Sequence, residues 1–136
     1  MSVNADRIQI KRGESQTLTV TFVTADSYYA NPTNPALWVP IDITNDTVIF
    51  VVKLSINNPD TMAQINLKNS PGEHLTPASG KTQFILTPTI TLGFPVVYKN
   101  SQYVWEAWLL DASGNGKATM TGTFQVSASV LQTPSL

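Results

Sequence analysis

No cysteine occurs in the 136 residues, which excludes a disulfide framework, a thiolate metal site and a cysteine nucleophile. That absence agrees with synthesis in a reducing compartment. Charge is sparse as well: Asp, Glu, Lys and Arg together make up 12% of the chain, against about 25% in an ordinary soluble domain. Net charge is −1, and among the scattered basic residues only Lys11 and Arg12 adjoin. Nucleic-acid binding needs basic residues gathered on one face, so no nucleic-acid partner is expected. No stretch approaches the ~18 apolar residues of a membrane span. Met1 to Arg7 lacks the apolar run of a signal peptide, so the expectation is a soluble chain with no membrane partner.

What is present is polar without being charged. Thr, Ser, Asn and Gln stand where charges are missing, while apolar residues reach 42%. Long-range repulsion does little to keep such surfaces apart, so the composition leans towards self-association or docking. The length fits one domain able to bury a core without staples. The expected division is a single domain over 1–128 and a C-terminal tail over 129–136.

Apolar residues recur with a period of two, the strand signature. Ile8 and Ile10 open a short strand that ends at Lys11-Arg12-Gly13. Leu18, Val20 and Phe22 alternate with Thr17, Thr19 and Thr21. Thr47 to Leu54 is apolar on both faces, Ala63 to Leu67 is a weaker strand, and Thr82 to Leu86 alternates around Phe84. Tyr103 to Leu110 is followed by the turn Asp111-Ala112-Ser113-Gly114-Asn115-Gly116, whose Asn-Gly pair favours positive φ. Thr119 to Val126 then returns as its hairpin partner. About seven strands with short Gly-, Pro-, Asn- and Asp-rich links predict an all-β fold, an immunoglobulin-like antiparallel sandwich, with a small jelly roll as the alternative. One link, 23–46, is too long for a turn. It carries Tyr28, Tyr29, Trp38 and three prolines, and reads either as a loop capping the sandwich or as an arm against a neighbour. A helical turn is expected near Thr89 to Leu92.

The residues offer little chemistry. His74 is the single histidine and has no nucleophile elbow near it in sequence, so a solvated loop side chain is expected rather than a base. Carboxylates are dispersed, and Asp111 to Gly116 lacks the later ligands of a calcium loop. No phosphate-cradling helix follows Gly114-x-Gly116. Glu106 lies between Trp105 and Trp108, and alternation turns it away from Tyr103 and Trp105, towards solvent or an interface. The expectation is a non-enzyme with no metal and no cofactor.

One feature of the pattern is anomalous. If Val48, Phe50 and Val52 point inward, Ile49 and Val51 point outward. If Tyr103, Trp105, Ala107 and Leu109 point inward, Val104 and Trp108 point outward. In an immunoglobulin-like topology these strands are neighbours. Ile49, Val51, Val104 and Trp108 would then form one outward apolar patch, with Glu106 and Lys53 at its edge. Soluble monomers rarely leave such a patch in water. Either the long loop covers it through Trp38 or Tyr29, or it is a subunit interface. Tyr28, Tyr29 and Trp38 are further interface candidates.

The order of these motifs resembles a known family. Val39-Pro40-Ile41-Asp42-Ile43-Thr44 followed by Thr47-Val48-Ile49-Phe50-Val51-Val52-Lys53 is similar to the second and third strand region of small tailed-phage virion domains. These are immunoglobulin-like domains similar to the amino-terminal part of phage baseplate upper proteins. Phe84-Ile85-Leu86-Thr87-Pro88, Tyr103-Val104-Trp105-Glu106-Ala107-Trp108-Leu109 and Gly122-Thr123-Phe124-Gln125-Val126 match in order. Ile10-Lys11-Arg12-Gly13-Glu14 with Leu18-Thr19-Val20 also fits, so the resemblance runs from about residue 8 to 128. Val23 to Trp38 looks like an insertion, and Trp108 stands where the family more often has a polar residue. The resemblance implies a structural protein of the virion, made in the bacterial host cytoplasm, with other virion proteins as partners and a homo-oligomeric or multi-copy arrangement. It implies a tail, baseplate or fibre-attachment role, with capsid decoration or a head fibre as the alternative. A carbohydrate- or receptor-binding module using Tyr28, Tyr29 and Trp38 is a second alternative.

Overall fold

A computed structural model describes residues 7–95 and 101–127; the expected tail, 129–136, lies outside the described residues. Among the described residues seven strands occur, in the order β1 (Arg7–Lys11), β2 (Gln16–Thr21), β3 (Thr47–Lys53), β4 (Ile65–Asn69), β5 (Lys81–Leu86), β6 (Ser101–Leu110) and β7 (Gly116–Ser127). One sheet has five strands in the order β1-β7-β6-β3-β4, and the other has two, β2-β5. The fold is therefore an immunoglobulin-like β-sandwich. Every pairing is antiparallel except β1 with β7, which run parallel. The expected strands all form, with the weak one shifted from Ala63–Leu67 to Ile65–Asn69.

Alternation sets which side chains meet between the sheets. In β2, Leu18 and Val20 are buried while Thr17 stays exposed. Leu18 lies opposite Phe84 of β5. Phe84 stacks on Phe50 of β3 at 5.5 Å between ring centroids, and Phe50 meets Trp105 of β6 at 5.9 Å. This places β5 over β3 and leaves β7 and β1 extending past β2. Part of that overhang is filled by the segment after β5. There Thr87 caps the short helix α2 (Pro88–Leu92), with Pro88 suited to its first turn. Phe94 follows, packing on Tyr103 and Phe124.

Polar bonds lock both flanks. Arg12, in the β1–β2 turn, donates to the carbonyls of Phe94 and Leu92 at 2.8 and 3.1 Å. The buried Thr91 hydroxyl accepts from Gly13 N–H and lies 3.0 Å from the Glu14 carbonyl. Across the sandwich, Asn69 of β4 donates to Thr82 Oγ1 and to the Gln83 carbonyl of β5, at 2.7 and 2.8 Å. This joins the two sheets where they share no backbone ladder.

The long connection is more ordered than a Pro-stiffened loop. Val23 bridges to Pro40, and Thr24 N–H donates to the Val39 carbonyl, so its neck is closed. Between these residues lie α1 (Ala25–Ala30), capped by the Thr24 side chain, and a 3-10 turn over Pro35–Leu37. A closed neck with internally packed side chains is the anatomy of an Ω-type excursion. In the β6–β7 turn the positive φ falls on Gly114, not on the Asn115-Gly116 pair. The Asp111 carboxylate accepts from the backbone N–H groups of Ser113 and Asn115 and so organises that turn itself.

Candidate functional site

The two strands of the anomalous patch are neighbours, and their register fixes the outer face. Ile49 lies opposite Trp108, Val51 opposite Glu106, and Lys53 opposite Val104. Glu106 therefore stands in the middle of the patch, flanked along β6 by Val104 and Trp108, and not at its edge. The indole N–H of Trp108 donates to its carboxylate. Beyond β6 the neighbours are Thr119, Thr121 and Thr123 of β7, and beyond β3 they are Lys68 and Asn66 of β4. An apolar band thus crosses a face that is otherwise threonine, amide and lysine.

Part of this band is covered, but not by the long loop. Val51 is only 6% exposed, which corrects its expected exposure. Ile56 lies beside Val51, Val104 and Glu106, and Asp60 beside Ile49, Val51 and Trp108. Both belong to the β3–β4 connection, which folds back over the sheet and is pinned by an ion pair between Asp60 and Lys53. Connections of this kind carry their own 3-10 turn, here Asp60–Met62, which alternation patterns do not reveal. Ile49 and Val104 are half-buried, whereas Trp108 is 40% exposed. What stays open is a groove of about 340 Å³ between Trp108, Leu110, Ile49 and Val51, with Glu106 and Asp60 as its polar members.

Tyr28, Tyr29 and Trp38 form a separate group. Tyr28 sits 5.4 Å from Tyr29 and 5.5 Å from Trp38, and the Trp38 indole N–H donates to the Asn31 carbonyl at 2.7 Å. Trp38 is thus used inside its own excursion and is not among the groove's lining residues. Tyr29 is the open member, at 66% exposure. The expected interface residues therefore fall into two sites rather than one.

His74 is not a solvated loop residue. Its Nε2 lies 2.7 Å from the Asp46 carbonyl and its Nδ1 lies 3.0 Å from Thr82 Oγ1. A carbonyl only accepts, so Nε2 carries a proton, and in the tautomer with that one proton Nδ1 accepts from Thr82. Thr82 in turn accepts from Asn69. Asp46 is buried with its carboxylate 2.7 Å from Lys117 Nζ. Thr82 is wholly buried, so its hydroxyl has no route to a substrate; the network ties loops to strands. Sequence spacing gives no hint of it, because Asp46, Asn69, His74, Thr82 and Lys117 come from separate segments. Among the described residues, no three His, Asp or Glu side chains gather as a metal site would require. No helix among them is long and apolar enough to cross a membrane.

No protein-family model matches the chain, and no curated protein matches it. Among solved structures, the chain is similar to a point mutant of the SrpA adhesin from Streptococcus sanguinis, at 16% identity and a TM-score of 0.43. The alignment covers 89% of this chain and 54% of that one, so this chain spans about half the adhesin's length.

Proposed function

We propose that this protein is a non-enzymatic structural component of a bacteriophage virion, a docking module of the tail, baseplate or fibre attachment. The observation that carries the docking role is the exposed Trp108 ring set in the groove with Ile49, Val51 and Leu110. A large amphipathic ring with its polar edge already bonded keeps its apolar faces for a partner. The low charge of the chain supports the same reading, because close packing of many copies then costs little in repulsion. The virion itself is supported by the ordered motifs between about residues 8 and 128, and capsid decoration or a head fibre is the alternative placement.

Labelling the chain in purified particles and imaging them tests both levels. Label confined to the tail or baseplate supports the reading, and hundreds of copies on the head would move it to decoration. Absence from particles would sink it. A second reading, recognition of a carbohydrate, is favoured by one observation: the open Tyr29 ring beside Tyr28. Glycan-array binding lost in Tyr29→Ala and kept in Trp108→Asp would promote it over docking.

A further inference from the structure

The outer face of the five-stranded sheet is covered at one end and open at the other. In the cross-strand row Lys53, Val104 and Thr123 every member is half-buried, and in the next row Val51 is buried. The row after that runs Lys68, Ile49, Trp108 and Thr119, and all of these but Ile49 are exposed. Two opposite charges flank its apolar centre without a counter-ion. Glu106 accepts from the Trp108 indole through one carboxylate oxygen, and neither it nor Lys68 is in an ion pair among the described residues. Lys53 and Asp60 beside them hold each other. Lys68 and Glu106 do not neutralise each other within the chain, because β3 separates their strands and Ile49 and Val51 stand between them.

From this arrangement we infer that the occupant of the Trp108 groove is a second copy of this chain, packed face to face about a two-fold axis. The inference rests on the docking reading of that groove and supplies its partner. In an isologous contact, whatever one copy presents is presented back to it. A face with an apolar centre, an uncompensated acid on one side and an uncompensated base on the other is therefore its own complement. An axis over Ile49 of β3, the strand between β4 and β6, sets β4 of each copy over β6 of the other. Lys68 of each copy then lies over the other's Trp108 ring, beside Glu106. Its ammonium meets the indole face and the carboxylate together, and its stem covers the ring. Each such contact occurs twice, and Ile49 packs on its counterpart at the axis.

The distribution of charge selects this occupant. Net charge is −1, so two copies approach with little long-range repulsion. An acidic partner would leave Glu106 opposed by a like charge, and a basic one would leave Lys68 opposed, whereas a second copy satisfies both. The pairs are also sheltered, because charges closed between two sheets are screened less by salt than charges in open water. Burying the half-open Trp108 ring in the same contact removes the apolar band from solvent.

The test is charge exchange in the whole protein, read by sedimentation equilibrium. The wild type is expected to be a dimer at about 0.1 mM. Glu106→Lys and Lys68→Glu, each alone, should weaken dimerisation by about tenfold or more, because each sets like charges against each other twice. An equimolar mixture of the two variants should dimerise like the wild type, since every lysine again meets an acid. So should the double variant, in which the two charges have changed places. Recovery in the mixture also shows that both variants are folded. If Glu106→Lys melts early, Lys68→Glu decides alone, being a change at an exposed position. A monomeric wild type, single variants that dimerise unchanged, or well-folded variants that fail to recover on mixing would overturn the inference. Dimer lost in Trp108→Asp but kept in both charge variants would also overturn it, while leaving the groove as a docking surface. Incorporation into particles is scored separately and decides the virion reading.

Discussion

The indole N–H of Trp108 donates to the carboxylate of Glu106, two positions earlier on the same face of β6. Glu106 faces Val51, and Trp108 faces Ile49 across the ladder with β3. The charge is thereby spent on orienting the ring rather than on solvating the face. The bond satisfies the one polar atom of the indole and leaves both ring faces to apolar neighbours.

Replacing that ring is expected to separate docking from stability. Trp108→Asp should melt within a few degrees of the wild type, because surface substitutions usually change stability by no more than about 0.5 kcal/mol. Self-association, measured by sedimentation, and incorporation into particles should both fall sharply. A variant that associates and incorporates like the wild type would remove the groove from the docking surface.

Gly80 is expected to tolerate no side chain. It adopts φ +73, and a Cβ there would meet the Phe22 carbonyl at 2.4 Å and the Ile41 carbonyl at 2.8 Å. Both atoms are backbone, and the Phe22 carbonyl already accepts from Ile41 N–H, so neither gives way cheaply. Gly80→Ala should cost more than about 2 kcal/mol in urea unfolding. Gly72 supplies the control, with φ +91 and open space around it. Gly72→Ala should cost only the left-handed backbone term, about 1–2 kcal/mol. Equal losses at the two positions would show that the Gly80 contacts add nothing.

Local alternation carried most of the fold. Leu18-Val20, the two-faced run of β3 and the Tyr103–Leu109 pattern each place a strand correctly, because one buried face is enough to fix a period of two. Register followed from pairing β3 with β6, which put Ile49 beside Trp108. What alternation could not convey was the cover. Asp60 reaches Lys53 through the β3–β4 connection, and no periodic signal marks an irregular segment that folds back on its own sheet. The same holds for His74, whose partners Asp46 and Thr82 are joined only by tertiary packing. It holds also for the five-against-two mismatch, since strand number per sheet is a global property.

The His74 network is expected to behave as one unit. In His74→Ala, the fully buried Thr82 hydroxyl loses its acceptor and the Asp46 carbonyl loses its donor. An unsatisfied buried polar group costs about 1–3 kcal/mol. Thr82→Val removes the other partner at similar volume and should cost a comparable amount. Because the groups share one bond, the double variant should lose less than the two single losses added together. Additive losses in urea unfolding would show that the histidine and the threonine act separately.

Asp42 gives the fold an acid-sensitive joint. Its carboxylate accepts from the Thr44 hydroxyl and from the Thr44 backbone N–H, the latter at 2.9 Å. These bonds hold its pKa below the ordinary carboxylate value, the hydroxyl contributing most, against a smaller opposing effect of burial. A group with a depressed folded pKa stabilises the native state above its unfolded pKa. That contribution is lost as pH falls through the folded value, because protonation then competes with the Thr44 bonds. Carbon-detected NMR titration should therefore find Asp42 titrating below the ordinary carboxylate value. Thr44→Ala should raise its midpoint part of the way, since the backbone N–H remains, while Thr44→Ser should preserve the low value. An unchanged midpoint in Thr44→Ala would assign the shift to the backbone bond alone.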